Sequence, residues 1–164
     1  MAGVEVAYEL KDKTSYIVAS SAEIVSPGFT PAYGDVMGYL FEQTPNLQGF
    51  VDKAFSYFSS QTDYRNSATF SIIKTSALQQ LATWLESNIM WGRQLDINNI
   101  QHFDRYSYRL FFDFEDYYSK LLLTEQQRET LAQLTSACVT YKKATPTFMI
   151  NSNGFEIRKY SGIT

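Results

Sequence analysis

The chain has 164 residues, 45% of them hydrophobic, which is one domain in size and enough to bury a proper core. Its net charge of -3, with the basic residues scattered, argues against nucleic acid, because phosphate binding needs a basic face. A single cysteine excludes an internal disulfide and a multi-cysteine metal site, and no apolar run reaches the ~18 residues of a membrane helix.

From the N-terminus, Val4, Ala7, Tyr8 and Leu10 fall near one face of a 3.6-residue period, with Glu5, Glu9, Lys11 and Asp12 opposite. This predicts a helix, although Met1 to Gly3 supply no side-chain cap. Tyr16-Ile17-Val18-Ala19 reads as a short strand covered on both faces, left through the small polar stretch Ser20-Ser21-Ala22-Glu23. In open α/β sheets that end of a strand is where ligands bind. Two prolines and a glycine make 24–31 an irregular loop. Residues 32–43 read as a helix carried by Val36, Leu40 and Phe41, and Thr44-Pro45 as the start of a second helix reaching about Ser60.

Ala68 to Thr75 is rich in β-branched residues and predicts a strand. Ser76 with Gln79 reads as a capping box opening a helix to about Trp91. Gly92 to Tyr108 shows no regular pattern, and Phe111 to Leu123 reads as an aromatic helix. Thr124 with Gln127 is a second capping box, for a helix to about Cys138. Val139 to Tyr141 and Thr147 to Ile150 are strand-like, Asn151 to Gly154 is turn chemistry, and Phe155 to Tyr160 alternates as a strand. Helices interleaved with strands give an α/β fold: an open, mixed sheet flanked by helices and closing with a β-hairpin.

Three groups offer chemistry. Cys138 and His102 are the sole thiol and imidazole, so a nucleophile–base dyad is arithmetically available. Cys138 sits at the end of an amphipathic helix, however, where a small buried residue belongs. Asp104, Asp113, Glu115 and Asp116 form an acidic cluster that reads as a solvated helix face or as oxygen ligands for a hard cation. Phe111, Phe112, Phe114, Tyr117 and Tyr118 read as core at helical spacing rather than as a binding platform.

The opening MAGVEVAYELKDKTSYIVASSAEI resembles the segment that follows the nucleophilic cysteine in clostripain-like cysteine peptidases, which have a caspase-like fold. Weaker similarity continues through SATFSIIKTSAL, FDFEDYYSKL and YKKATPTF to NGFEIRKYSGIT, so the resemblance spans the chain. It implies that the catalytic cysteine lies one or two residues before Met1, with the histidine further upstream. The chain is then the C-terminal portion of a single peptidase domain, both ends looking truncated and no catalytic residue or metal ligand its own. The resemblance makes Ser20, Ser21, Glu23 and Pro27 substrate-binding residues, on a strand end that lines the specificity pocket and pairs with peptide backbone. Relatives that cleave after Arg or Lys carry an acidic residue near the position of Pro27. The proline here puts basic specificity in doubt, with Glu23 and Asp35 the nearest acids.

The resemblance also implies calcium dependence in some members, a secreted or cell-envelope location, a peptide or protein substrate, and the N-terminal half of the same domain as a partner. The function expected is part of a cysteine endopeptidase; the alternative is a non-catalytic peptide-binding or structural module derived from that fold. A missing central strand would expose an apolar sheet edge, so the isolated chain is expected to associate.

Overall fold

The computed structural model describes residues 2–90, 92–105, 108–150 and 153–164. Its centre is a three-stranded sheet ordered β1 (Tyr16–Ala19), β2 (Thr69–Lys74), β3 (Val139–Ala144). The mixed sheet expected from the alternation of helices and strands resolves, within this chain, into antiparallel pairs. Tyr16 stands opposite Lys74, Ala19 opposite Ser71, Thr69 opposite Ala144 and Ile73 opposite Val139, with an irregularity at Ile72/Ile73. All of β2 except Lys74 is buried. That is why its sequence runs apolar and β-branched instead of alternating with charge. Strand β1 pairs with β2 alone among the described strands; apolar side chains pack on both of its faces, as expected, but Tyr16 is exposed and Ile17 to Ala19 are half-buried.

The period-2 alternation of side chains splits the sheet into two apolar faces. Val18, Phe70, Ile72 and Tyr141 pack against α3 (Leu47–Ser59) through Val51, Ala54 and Phe58. Ile17, Ala19, Ile73 and Val139 pack on the opposite face, against α1 (Val4–Glu9), α4 (Leu78–Asn88), α5 (Phe114–Ser119) and α6 (Glu125–Cys138). Each large apolar side chain taken fully from water in these layers contributes roughly 1.5–3 kcal/mol. A third, smaller cluster joins Ala22, Val25, Phe103 and Phe148 beneath the loop that leaves β1. Its floor is the hairpin of β4 (Thr147–Phe148) and β5 (Phe155–Glu156), as expected, with Phe148 stacked on Phe155 at 5.3 Å.

Local chemistry explains where element boundaries depart from expectation. The 32–43 helix is a single turn, α2 (Tyr33–Val36), between two 3-10 turns. Helix α3 starts at Leu47, because the Asn46 carboxamide accepts from the Gly49 N–H at 2.8 Å and leaves Thr44-Pro45 outside. The Ser76–Gln79 capping box does not form. Thr75 is drawn into a 3-10 turn by its bond to the Thr14 carbonyl, and Gln79 accepts instead from the Tyr8 hydroxyl at 2.8 Å. Helix α4 ends at Asn88, and Trp91, the end expected for it, lies outside the described residues.

The Phe111–Leu123 helix shrinks to α5 because Asp113 caps it by accepting the Asp116 N–H. The residues before it pair instead with 101–103: Phe103 N–H to Phe111, and Asp113 N–H to Gln101. The stretch expected to be irregular thus contributes a β-bridge, His102 to Phe112. The Thr124–Gln127 capping box is present in both directions, and α6 runs to Cys138 as expected. Strand β3 runs on to Ala144, whereas Thr147–Ile150 shortens to Thr147–Phe148 and Phe155–Tyr160 to Phe155–Glu156. Beyond Glu156 the Gln101 carboxamide, not a strand partner, takes the amides of Arg158 and Lys159. Of the expected 151–154 turn, Asn151 and Ser152 lie outside the described residues. Leu10, expected on the buried face of α1, is 41% exposed at the helix C-cap.

Candidate functional site

The end of β1 is turned by hydroxyls. Ser20 Oγ donates to the Ala22 carbonyl at 2.8 Å and lies 2.9 Å from Thr69 Oγ1 on β2. Thr69 Oγ1 in turn accepts the Ala22 N–H at 2.9 Å. Buried polar groups demand such partners, and here they fix the direction in which the chain leaves the sheet. The Ser20 carbonyl points the other way and accepts the N–H of Ala2 at 2.7 Å. Ala2 also accepts the N–H of Thr164, and Thr164 accepts that of Val4, so backbone from the far end of the chain satisfies the uncapped start of α1.

Ser20 and Ser21 are both buried. The Tyr160 phenol, itself buried, faces the hydroxyls of Ser71, Ser21 and Thr69; burial pushes its pKa well above the ordinary phenol range despite them. Glu23 and Pro27 turn outward. Glu23 pairs with Arg105, Oε1 to Nη2 at 2.5 Å, and Pro27 is exposed with its carbonyl accepting from Thr30 Oγ1 at 2.9 Å. Gly28 closes this loop at φ +70°, a backbone conformation that favours glycine, with its N–H on the Val25 carbonyl. Asp35, the other nearby acid, is paired with Lys53 across 3.6 Å.

The remaining candidates separate. Cys138, the last residue of α6, is fully buried in the core, and desolvation pushes its thiol up to about 11. His102 lies against the Phe155 ring, with Nδ1 on the Asp104 carbonyl at 2.9 Å. No hydrogen bond joins the two residues, so they form no dyad. The acidic cluster is not a solvated face: Asp104, Asp113 and Asp116 are each 5% exposed or less. One oxygen of Asp104 accepts the amides of Leu110 and Phe111, and Asp113 accepts those of Asp116 and Ser161. Asp116 takes the Gln101 amide and the Lys159 ammonium. These carboxylates hold backbone, and among the described residues no group of three His, Cys, Asp or Glu side chains is placed to hold a metal. Of the aromatic stripe, Phe114 is core and Tyr118 packs on it at 4.6 Å.

Thr69, Tyr160 and Arg105 escaped the sequence reading. A threonine inside a buried strand was a signal for the first. Nothing in the pattern placed the other two, which reach the β1 loop from 82 residues away or more.

A sheet covered by helices on both faces, with a polar loop leaving the edge strand beside residue 2, defines a caspase-like α/β domain. The chain belongs to the clostripain family of C11 peptidases, whose model matches residues 1–161. Eight solved chains match it as well. A clostripain from Bacteroides thetaiotaomicron ATCC 29148, in complex with the peptide inhibitor BTN-VLTK-AOMK, superposes with a TM-score of 0.88 at 29% identity, over all of this chain and 73% of its own. The secreted C11 cysteine protease "iotapain" of B. thetaiotaomicron gives 0.87 at 30% identity, over all of this chain and 46% of its own. An inactive zymogen C11 protease from Parabacteroides distasonis gives 0.85 at 27%, over 99% of this chain and 48% of its own. The chain therefore spans about half the length of two of these relatives. No curated protein matches it. Among the described residues, no helix is long and apolar enough to cross a membrane.

Proposed function

We propose that this chain is the pocket-wall and core portion of a clostripain-type cysteine endopeptidase, with the catalytic cysteine and histidine supplied from outside it. The observation that carries the reading is the hydrogen bond from Ala2 N–H to the Ser20 carbonyl. It sets residue 2 beside the loop formed by Ser20, Ser21, Glu23 and Pro27, so a nucleophile entering just ahead of Ala2 would meet a peptide held on that loop. In the complete site the histidine takes the thiol proton, the thiolate attacks the scissile carbonyl, the amine leaves to give an acyl-enzyme, and water releases the acid.

The role of each residue differs. Ser20 and Ser21 act through position: Ser20 Oγ and Thr69 pin the strand end and so set the course of the loop against which an extended peptide would lie. Glu23 and Pro27 face outward and meet substrate side chains. The burial of Cys138, which raises its thiol, and the engagement of His102 Nδ1 by the Asp104 carbonyl favour catalytic groups elsewhere. The preceding half of the domain is the partner that would cover the open edge of β1. Secretion or attachment to the cell envelope fits the secreted protease among the relatives.

The experiment mixes the chain with a separately expressed N-terminal half. Thiol-dependent peptidase activity in the mixture, unaffected by Cys138→Ala, is the expected result. Tight association without activity would mark a non-catalytic module, and activity of the chain alone that Cys138→Ala abolishes would overturn the reading.

A further inference from the structure

We propose that Tyr160 is a positioning residue for substrate: its phenol holds the loop after β1 on the course that receives a peptide, while the segment it opens holds the residue entering beside that loop. The proposal rests on the reading of the loop as the substrate pocket wall. Residues 160–164 brace the entry to α1 against the sheet. The Thr164 N–H donates to the Ala2 carbonyl at 3.0 Å, and the Thr164 carbonyl accepts the Val4 N–H at 2.8 Å. The Ile163 carbonyl accepts the Phe114 N–H and the Ser161 hydroxyl, each at 3.1 Å, and Asp113 takes the Ser161 amide. A β-carbon on Gly162 would stand 3.3 Å from Ser71 Cβ and 2.6 Å from Val139 Cγ1, so the brace lies directly on β2 and β3.

From that fixed point the Tyr160 ring packs on the small core beneath the loop, which holds Ala22 and Val25, and meets Phe103 edge-on at 5.8 Å. Lys142 donates to the Tyr160 carbonyl at 2.6 Å and fixes the backbone there. The phenol oxygen faces Ser21 on the loop, and Thr69 and Ser71 on β2. Thr69 Oγ1 already serves Ser20 and the Ala22 N–H, and the Ser71 hydroxyl leans to the Ala19 carbonyl at 3.5 Å. That leaves the phenol to tie Ser21, the next residue of the loop, to the body of the domain. A tyrosine has two side-chain torsions, so a ring held at both ends has little freedom to give the loop. Burial keeps the proton on the phenol, which can therefore donate at any pH where peptides are cleaved. Removing the phenol oxygen falls on Ser21 and the loop beyond it. It spares Ala2, whose bonds run to the backbone of Ser20 and Thr164. The phenol thus sets how substrate is held, and the backbone of the brace sets where the nucleophile enters. A loss of the first kind weakens substrate and transition state alike, which raises KM and leaves kcat in place.

The test uses the complete peptidase, purified from its own cells. Its active sites are counted with a biotinylated peptide acyloxymethyl ketone, and its kinetics are read on the coumarin amides of Val-Leu-Thr-Lys and Val-Leu-Thr-norleucine. Tyr160→Phe keeps the ring and the brace. KM per active site should rise about threefold to tenfold, the worth of one buried hydrogen bond, with kcat within about twofold of the unaltered enzyme. Ser21→Ala should raise KM likewise, and the double variant should fall short of the product of the two increases, because both remove the same contact. Melting curves report that each variant is folded. A merely structural role would lower the melting temperature and the number of active sites while KM per site stays put, and that result overturns the proposal. So does a fall in kcat at unchanged KM, or a double variant that multiplies the two increases. Each of these sinks this proposal alone. An unaltered enzyme that neither takes the ketone nor cleaves either peptide removes the pocket reading, and the proposal with it.

Discussion

The amide of Ala2 donates to the carbonyl of Ser20 across 2.7 Å. One backbone bond thereby ties the segment entering the domain to the point where β1 gives way to its loop. Around it, Ser20, Thr69 and Ala22 form a closed set of hydrogen bonds that leaves the strand end little freedom. Thr69→Val keeps the shape but removes the hydroxyl that serves both Ser20 and the Ala22 N–H. It should cost about 1–3 kcal/mol, the penalty for orphaned buried polar groups, measured by urea unfolding. A change below half a kcal/mol would mean that the strand end is held otherwise.

Asp113 is the structural acid of the C-terminal segment. Its two oxygens accept separate amides, from Asp116 and Ser161. Asp113→Ala loses a helix cap and strands a buried N–H, so a loss of roughly 2–4 kcal/mol is expected. Asp113→Asn should also destabilise, because its NH2 must face one of those donors. Neutral behaviour of the asparagine variant in denaturant unfolding would contradict this.

Asp113 and Asp116 respond to acid with opposite signs. Burial pushes the Asp113 carboxyl up, against the amides that favour its charge. Its contribution is fully present below the ordinary value of 3.8 and fades as pH rises through its folded pKa. Burial would raise Asp116 as well, but the Lys159 ammonium, the Gln101 amide and the charge of Lys120 outweigh it and hold the carboxyl below 3.8. Its contribution is present above 3.8 and is lost as pH falls through the depressed value. Lys159→Ala should therefore flatten the acid limb of stability below about pH 4. Melting temperatures between pH 7 and 2 check it, and an acid limb as steep as in the unaltered protein would contradict it.

Cys138 should behave as a core residue. With its thiol raised to about 11 and fully buried, it should resist an aromatic disulfide reagent at pH 8 until the protein unfolds. Rapid reaction of the native chain would contradict that.

Gly162 is held at φ +98°, and a β-carbon there would approach Val139 Cγ1 to 2.6 Å. Gly162→Ala combines backbone strain with overpacking and should cost about 2–4 kcal/mol in thermal or urea unfolding.

Much of this architecture was legible in the sequence because local signals and burial agree. The β-branched run became the buried β2, Thr124 and Gln127 form the capping box read from their spacing, and Phe148 and Phe155 sit in the hairpin expected around them. The expected elements failed where distant groups outbid local ones. Gln79 was taken by Tyr8; Asp113, held by the Ser161 amide, delayed the start of the aromatic helix to Phe114; and Gln101 captured the amides that would have extended β5. The loop at Ser20 was visible as a strand end. Its partners were not, because Thr69, Arg105 and Tyr160 reach it by folding alone. The acidic residues misled for a related reason: spacing reveals a cluster of carboxylates but not the backbone amides that consume them.

The most direct test of the account labels the protein, isolated from its own cells, with a biotinylated peptide acyloxymethyl ketone and maps the modified cysteine by mass spectrometry. The account predicts modification of a cysteine other than Cys138, in the segment that joins Ala2 beside Ser20. Modification of Cys138 itself would contradict it.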